Sequence, residues 1–100
     1  MMIVFSRGAA IAPGKTASAM AFAHQVSAYL KSTYGIELEV LMPIGGNPNR
    51  IGWSTRYADL ATMEVANTKM TADPKYWEIV NAGTANFIAG SVRDSIWRTV

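Results

Sequence analysis

IELEVLMPIGGNPNRIGWSTRY, residues 36–57, reads as two strands joined by a turn, and the order of the whole chain follows from it. Ile36, Leu38, Val40 and Met42 alternate with Glu37, Glu39 and Leu41, the period of two that marks a strand with two unlike faces. Across the turn, Ile51, Trp53, Thr55 and Tyr57 alternate with Gly52, Ser54 and Arg56, and β-branched and aromatic residues suit a pleated surface. Between them, Gly45-Gly46-Asn47-Pro48-Asn49 supplies the positive-φ and fixed-φ positions of a loop. Pairing about that loop sets Glu39 opposite Arg56 and Met42 opposite Trp53. One face is then apolar; the other carries Glu37, Glu39 and Arg56.

Outward from the hairpin, the chain reads as strand, helix, hairpin, helix, strand. Met2 to Arg7 is a first strand, apolar on both faces, with Met2 and Val4 on one side and Ile3 and Phe5 on the other. Pro13-Gly14-Lys15-Thr16 opens a helix that runs to Tyr34 and stops at Gly35. Ala19, Phe22, Ala23, Val26, Leu30 and Thr33 share one side of it, flanked by Tyr29 and Tyr34. His24 faces the other way, among Ala17, Ala21 and Ala28. Asp59 caps a second helix in which Leu60, Met63, Asn67 and Met70 share a side. Asp73-Pro74 restarts it and Gly83 ends it. Thr84 to Gly90 connects, tucking Phe87 and Ile88 inward. Ser91 to Val100 is the last strand, with Val92, Asp94, Ile96 and Arg98 on one face and Arg93, Ser95 and Trp97 on the other.

The order β-α-β-β-α-β predicts an α+β, ferredoxin-like sandwich: a four-stranded antiparallel sheet with two helices on one face. The whole chain, residues 1–100, is expected to be one domain, burying roughly 65% of its unfolded surface. Two helices cover one sheet face, yet the first and last strands are apolar on both. A second copy, packed sheet to sheet, is the simplest cover. A homodimer through the sheet face is therefore expected. Half the residues are apolar and only 16% are charged, which excludes a disordered chain and agrees with surface hidden in an oligomer.

Net charge is +2, without a Lys/Arg run or basic stripe, so no nucleic-acid partner is expected. No stretch approaches the ~20 apolar residues of a membrane span, and residues 1–12 lack the pattern of a signal peptide. Cysteine is absent, which removes disulfides, thiolate metal sites and thiol nucleophiles and agrees with a reducing cytoplasm, the expected location. His24 is the single histidine, with no carboxylate three or four residues away on its helix, so no metal is expected. Gly14-Lys15-Thr16 has the tail of a phosphate loop, but Ala9 stands where its first glycine belongs, and the segment reads as a helix start. No G-x-S-x-G elbow supports a serine nucleophile.

Trp53, Tyr57, Trp77, Phe22 and Tyr29 are expected to converge between sheet and helices. They form either a packed aromatic core or the wall of a pocket for a flat apolar ligand. Asn67, on the inner side of the second helix, is the polar residue that such a pocket would use. Glu37, Glu39, Arg7, Arg56 and Arg93 are expected to gather on the other sheet face. There they either fix the register of a dimer or form an acid/base site.

The order of elements comes with PGK at residues 13–15, YADL at 57–60, ADPKYW at 72–77 and GSVRDSIWR at 90–98. Together these resemble the dimeric α+β barrel superfamily, in particular its NIPSNAP-like and antibiotic-biosynthesis-monooxygenase-like small proteins. The resemblance spans nearly the whole chain. It implies two ferredoxin-like protomers packed into a barrel, with a pocket between sheet and helices. Members of the superfamily include cofactor-free monooxygenases of aromatic compounds, haem-degrading enzymes, isomerases, peroxidases and proteins without known activity, so the fold does not select a function; for this chain a small apolar or aromatic ligand and no cofactor are expected. No catalytic set maps onto this chain position by position. A haem-degrading activity would want a histidine facing the cavity, and His24 is turned away. The alternative is a non-catalytic binding or interaction scaffold with a packed core.

Overall fold

The computed structural model describes residues 2–100. Its elements are β1 (Ile3–Ala10), α1 (Thr16–Tyr34), β2 (Glu39–Leu41), β3 (Arg50–Tyr57), α2 (Leu60–Thr71), α3 (Pro74–Ala82), a 3-10 turn (Thr84–Asn86) and β4 (Arg93–Arg98). The strands form one antiparallel sheet in the order β2-β3-β1-β4. The architecture is the α+β, ferredoxin-like one expected, with the second helix broken into α2 and α3 at Asp73-Pro74. Asp73 caps α3 by accepting from the Lys75 amide, and Asp59 caps α2 by accepting from the Thr62 amide. Gly35, at φ 68°, closes α1 in the left-handed conformation that other residues adopt at a cost.

Pairing fixes which side chains face the helices. Ile3, Phe5, Arg7 and Ala9 stand opposite Tyr57, Thr55, Trp53 and Ile51, and these four β3 side chains are buried. Asp94 and Ile96 lie on the same side of β4. Ala19 and Ala23, both fully buried, let α1 settle close to Ile51 and Trp53. Met63 of α2 covers Ile3 and Tyr57, and Ile79 of α3 meets Val26 and Leu30 of α1. The helices thus cover the β2, β3 and β1 part of the sheet. Every residue of β4 is exposed, including Ile96 on the helix side and Trp97 on the open side.

Several expectations change. In the hairpin, Glu39 pairs with Ser54 and Val40 with Trp53, a slip of two residues that preserves both faces. Residues 42–49 become the loop because Pro43 and Pro48 have no N–H to give a ladder, while the Asn47 side chain accepts from the Asn49 amide. The strand expected from Ile36 is paired only from Glu39. Upstream, Ser27 Oγ donates to the Leu38 carbonyl and Thr55 Oγ1 to the Glu37 carbonyl, each at 2.7 Å, replacing ladder bonds with side chains. Phe87 packs inward beside Ile11, but Ile88 is half exposed.

The charged network expected on the open face does not form within the protomer. Arg7 is on the helix side. Glu37 pairs with Lys31 at 3.4 Å, both well exposed, and Arg93 Nη1 donates to the carbonyls of Gly90 and Val92. Among the described residues Glu39 and Arg56 have no ion-pair partner.

Tyr29 and Tyr34 both donate their hydroxyls to Asp73 Oδ2, at 2.5 and 2.6 Å, and so tie the end of α1 to the start of α3. The two phenols hold the Asp73 carboxyl below its ordinary range. The same bonds to a carboxylate push Tyr29 up and Tyr34 up to about 12. A depressed carboxyl contributes fully above its unfolded value and loses that contribution as pH falls through the folded one. Raised phenols contribute fully below their unfolded value of about 10 and lose that contribution as pH rises towards 12. Melting temperature is therefore expected to fall at both ends of the range. In Tyr29→Phe/Tyr34→Phe the acid and alkaline losses owed to this tie disappear; unchanged limbs in differential scanning fluorimetry would show the tie to be energetically idle.

Candidate functional site

Between the sheet and the helices lies a cleft of about 620 Å³. Its floor is made by the helix-side residues of three strands: Trp53, Thr55 and Tyr57 of β3, Phe5 and Arg7 of β1, and Asp94 and Ile96 of β4. Period two in each strand is what lines them up. Phe22, Val26 and Leu30 come from α1, Asn67 and Met70 from α2, and Tyr76 and Trp77 from α3. The cleft remains open because nothing covers the helix side of β4, where Val92 and Ile96 are half exposed.

One end is an aromatic wall. Phe22, Trp53 and Phe87 meet edge to face in all three pairs, with centroids 5.6–6.4 Å apart. The Trp53 indole is buried, and its Nε1–H has no hydrogen-bond partner. An unpaired buried donor costs on the order of 1–3 kcal/mol and calls for an explanation.

Beside Trp53 in the sheet the cleft turns polar. Arg7 and Asp94, opposite each other across β1 and β4, form a two-bond ion pair, Nε to Oδ1 at 2.7 Å and Nη2 to Oδ2 at 2.9 Å. The bond to Asp94 raises Arg7 above its ordinary value, against the opposing effect of burial. With side chains 42% and 40% exposed, such a pair contributes on the order of 1 kcal/mol to stability. The Arg7 guanidinium also sits 5.6 Å from the centre of the Phe5 ring, a cation–π distance. Tyr57 is pushed up by burial and, to a lesser extent, by Tyr76.

Of the residues picked from the sequence, Trp53, Tyr57, Asn67, Trp77 and Phe22 line this cleft. Asn67 does so from an exposed rim position rather than as a buried amide. Trp77 is 42% exposed, and its indole N–H donates to the Thr71 carbonyl. Tyr29 does not belong there: its hydroxyl is committed to Asp73. The sequence reading missed Arg7, Asp94 and Tyr76. A strict count of two from Ile3 and Phe5 would have placed Arg7 on the helix side. His24 is exposed on the far side of α1. Among the described residues no three His, Asp or Glu side chains gather as metal ligands, and no helix is long and apolar enough to cross a membrane.

No protein-family model and no curated protein sequence matches the chain. Its structure is nonetheless similar to solved ones. A NIPSNAP domain protein from Burkholderia xenovorans superposes with a TM-score of 0.83 at 14% identity, over 98% of this chain and 94% of that one. The chain has the NIPSNAP-like fold. A NIPSNAP family protein from Agrobacterium tumefaciens gives 0.77 at 16% identity, over 99% and 86%. SnoaB, a cofactor-independent oxygenase from Streptomyces nogalater, gives 0.71 at 12%, over 98% and 92%. The NIPSNAP-like fold thus extends over essentially the whole chain and includes an oxygenase.

Proposed function

We propose that this NIPSNAP-like protein is a sheet-to-sheet homodimer that binds a small apolar or aromatic molecule between sheet and helices. The observation that carries this reading is the cleft itself, about 620 Å³, walled by aromatic rings and open to solvent. That volume is in the range of small-molecule sites, which are mostly apolar with a few polar groups. The chemistry that the site suits is oxidation of a bound aromatic substrate without a cofactor, as in the structurally similar SnoaB. A non-catalytic scaffold would have filled this space, so the open cleft weighs against that alternative.

The dimer rests on the other face. The central strands present the small residues Val4, Ser6, Gly8, Ala10, Gly52 and Ser54, with Arg56 at one end and the Arg50 guanidinium lying over Gly8, so two copies can approach closely once Arg50 turns aside. A two-fold axis along the strands would set β2 of one copy over β4 of the other, bringing Glu39 towards Arg93.

Native mass spectrometry of gently purified protein tests both parts. The expected species has twice the 10.8 kDa chain mass, with a retained ligand of a few hundred daltons. Trp53→Phe, which trims the aromatic wall, is expected to weaken binding of the ligand while melting within ~1 kcal/mol of wild type, because an unsatisfied buried donor goes with the indole. A bare dimer that stays bare after incubation with flat aromatic compounds would end the ligand reading.

A further inference from the structure

Arg7 commits one edge of its guanidinium to Asp94, through Nε and Nη2. Among the described residues Nη1 makes no hydrogen bond, so the edge formed by Nη1 and the second Nη2 proton is free. The Tyr76 hydroxyl lies close enough to the guanidinium to act on it as a weak acceptor, one that a carboxylate, the stronger acceptor, would displace. Asp94 fixes the group along one edge and Phe5 steadies its face, so the fork is held in place next to Trp53 in a mostly apolar cleft. A fork of this kind matches a carboxylate in two parallel bonds, which a lone ammonium does not. An apolar ligand alone gives no reason for a cation among Phe5, Trp53 and Ile96; a ligand with one anionic end does.

We propose that the cleft takes a flat aromatic molecule bearing a carboxylate, its rings against Phe22, Trp53 and Phe87 and its carboxylate on the free edge of Arg7. The Tyr76 hydroxyl is placed to donate to the same anion. This deepens the reading of the cleft as a small-molecule site and depends on it.

Titrating the tryptophan fluorescence of the full chain with naphthoate and with its neutral isostere naphthamide separates the two ideas. Naphthoate is expected to bind at least about tenfold more tightly, because it offers the fork two anionic acceptors where the amide offers one neutral one. In Arg7→Gln the preference for naphthoate over naphthamide is expected to vanish. Arg7→Lys, which keeps the charge but not the fork, is expected to lose most of it, and decides the matter if Arg7→Gln does not fold. Equal binding of the two compounds by the wild type would overturn the carboxylate proposal and leave the cleft standing. A preference that survives in folded Arg7→Gln or in Arg7→Lys at full strength would overturn it too. Binding of neither compound would remove the cleft reading, and this proposal with it.

Discussion

Trp97→Ala is expected to turn the proposed sheet-to-sheet dimer into a monomer at micromolar concentration. Trp97 lies on the open face of β4, 67% exposed in the protomer, beside Val4 in the neighbouring strand. It is the largest side chain on a face whose middle is Ser6, Gly8, Gly52 and Ser54. A tryptophan packed against the β2 side of a partner's face is the kind of residue on which an interface depends. Truncating one typically costs about 2–4 kcal/mol, roughly thirtyfold to a thousandfold in dissociation constant. Because Trp97 packs little within its own chain, the variant is expected to fold as the wild type does. Trp77→Ala is the control: this side chain is also exposed, but on the helix side, and its removal should leave the dimer intact. Sedimentation velocity over a dilution series reads both. A wild type that sediments as a monomer, or a Trp97→Ala dimer as tight as wild type, would sink the sheet-to-sheet assembly.

The hairpin was legible because alternation survives every local irregularity. Slipping the register by two residues left Val40, Trp53, Thr55 and Tyr57 on the side where the pattern had put them. The caps at Asp59, Asp73 and Gly35 were legible because each is a local event between near neighbours. The extent of β2 was not, since it turns on Ser27 and Thr55 reaching carbonyls far along the chain. The same distinction divides the site. Trp53, Tyr57, Phe22, Trp77 and Asn67 follow from periodicity within single elements. The Arg7–Asp94 pair joins residues 87 positions apart, and the diversion of Tyr29 to Asp73 spans 44. Both are settled by which strand or helix lies beside which, and a lone sequence carries that only through topology.

Phe22 and Gly83 are expected to behave as one unit. A Cβ built on Gly83 would fall 2.2 Å from Cδ1 of the Phe22 ring, closer than real contacts allow. The helix end therefore needs glycine here for space, since its φ of −97° suits any residue. Gly83→Ala must push the ring out of its edge-to-face contacts with Trp53 and Phe87, an overpacking cost of ~1–3 kcal/mol. Phe22→Ala removes the ring and leaves a gap between α1 and the sheet, at ~3–5 kcal/mol. In a chain this size each kcal/mol is worth about 4–8 °C of melting temperature, so the truncation alone is expected to lower it by on the order of 15 °C or more. In the double variant the new methyl enters the vacated space, and the two losses should fall short of their sum by ~1 kcal/mol or more. Simple additivity in thermal or urea unfolding would mean that the ring does not occupy the space over Gly83. Since that ring also walls the cleft, the single Gly83→Ala variant should weaken naphthoate binding without touching any residue that contacts the ligand's charged end.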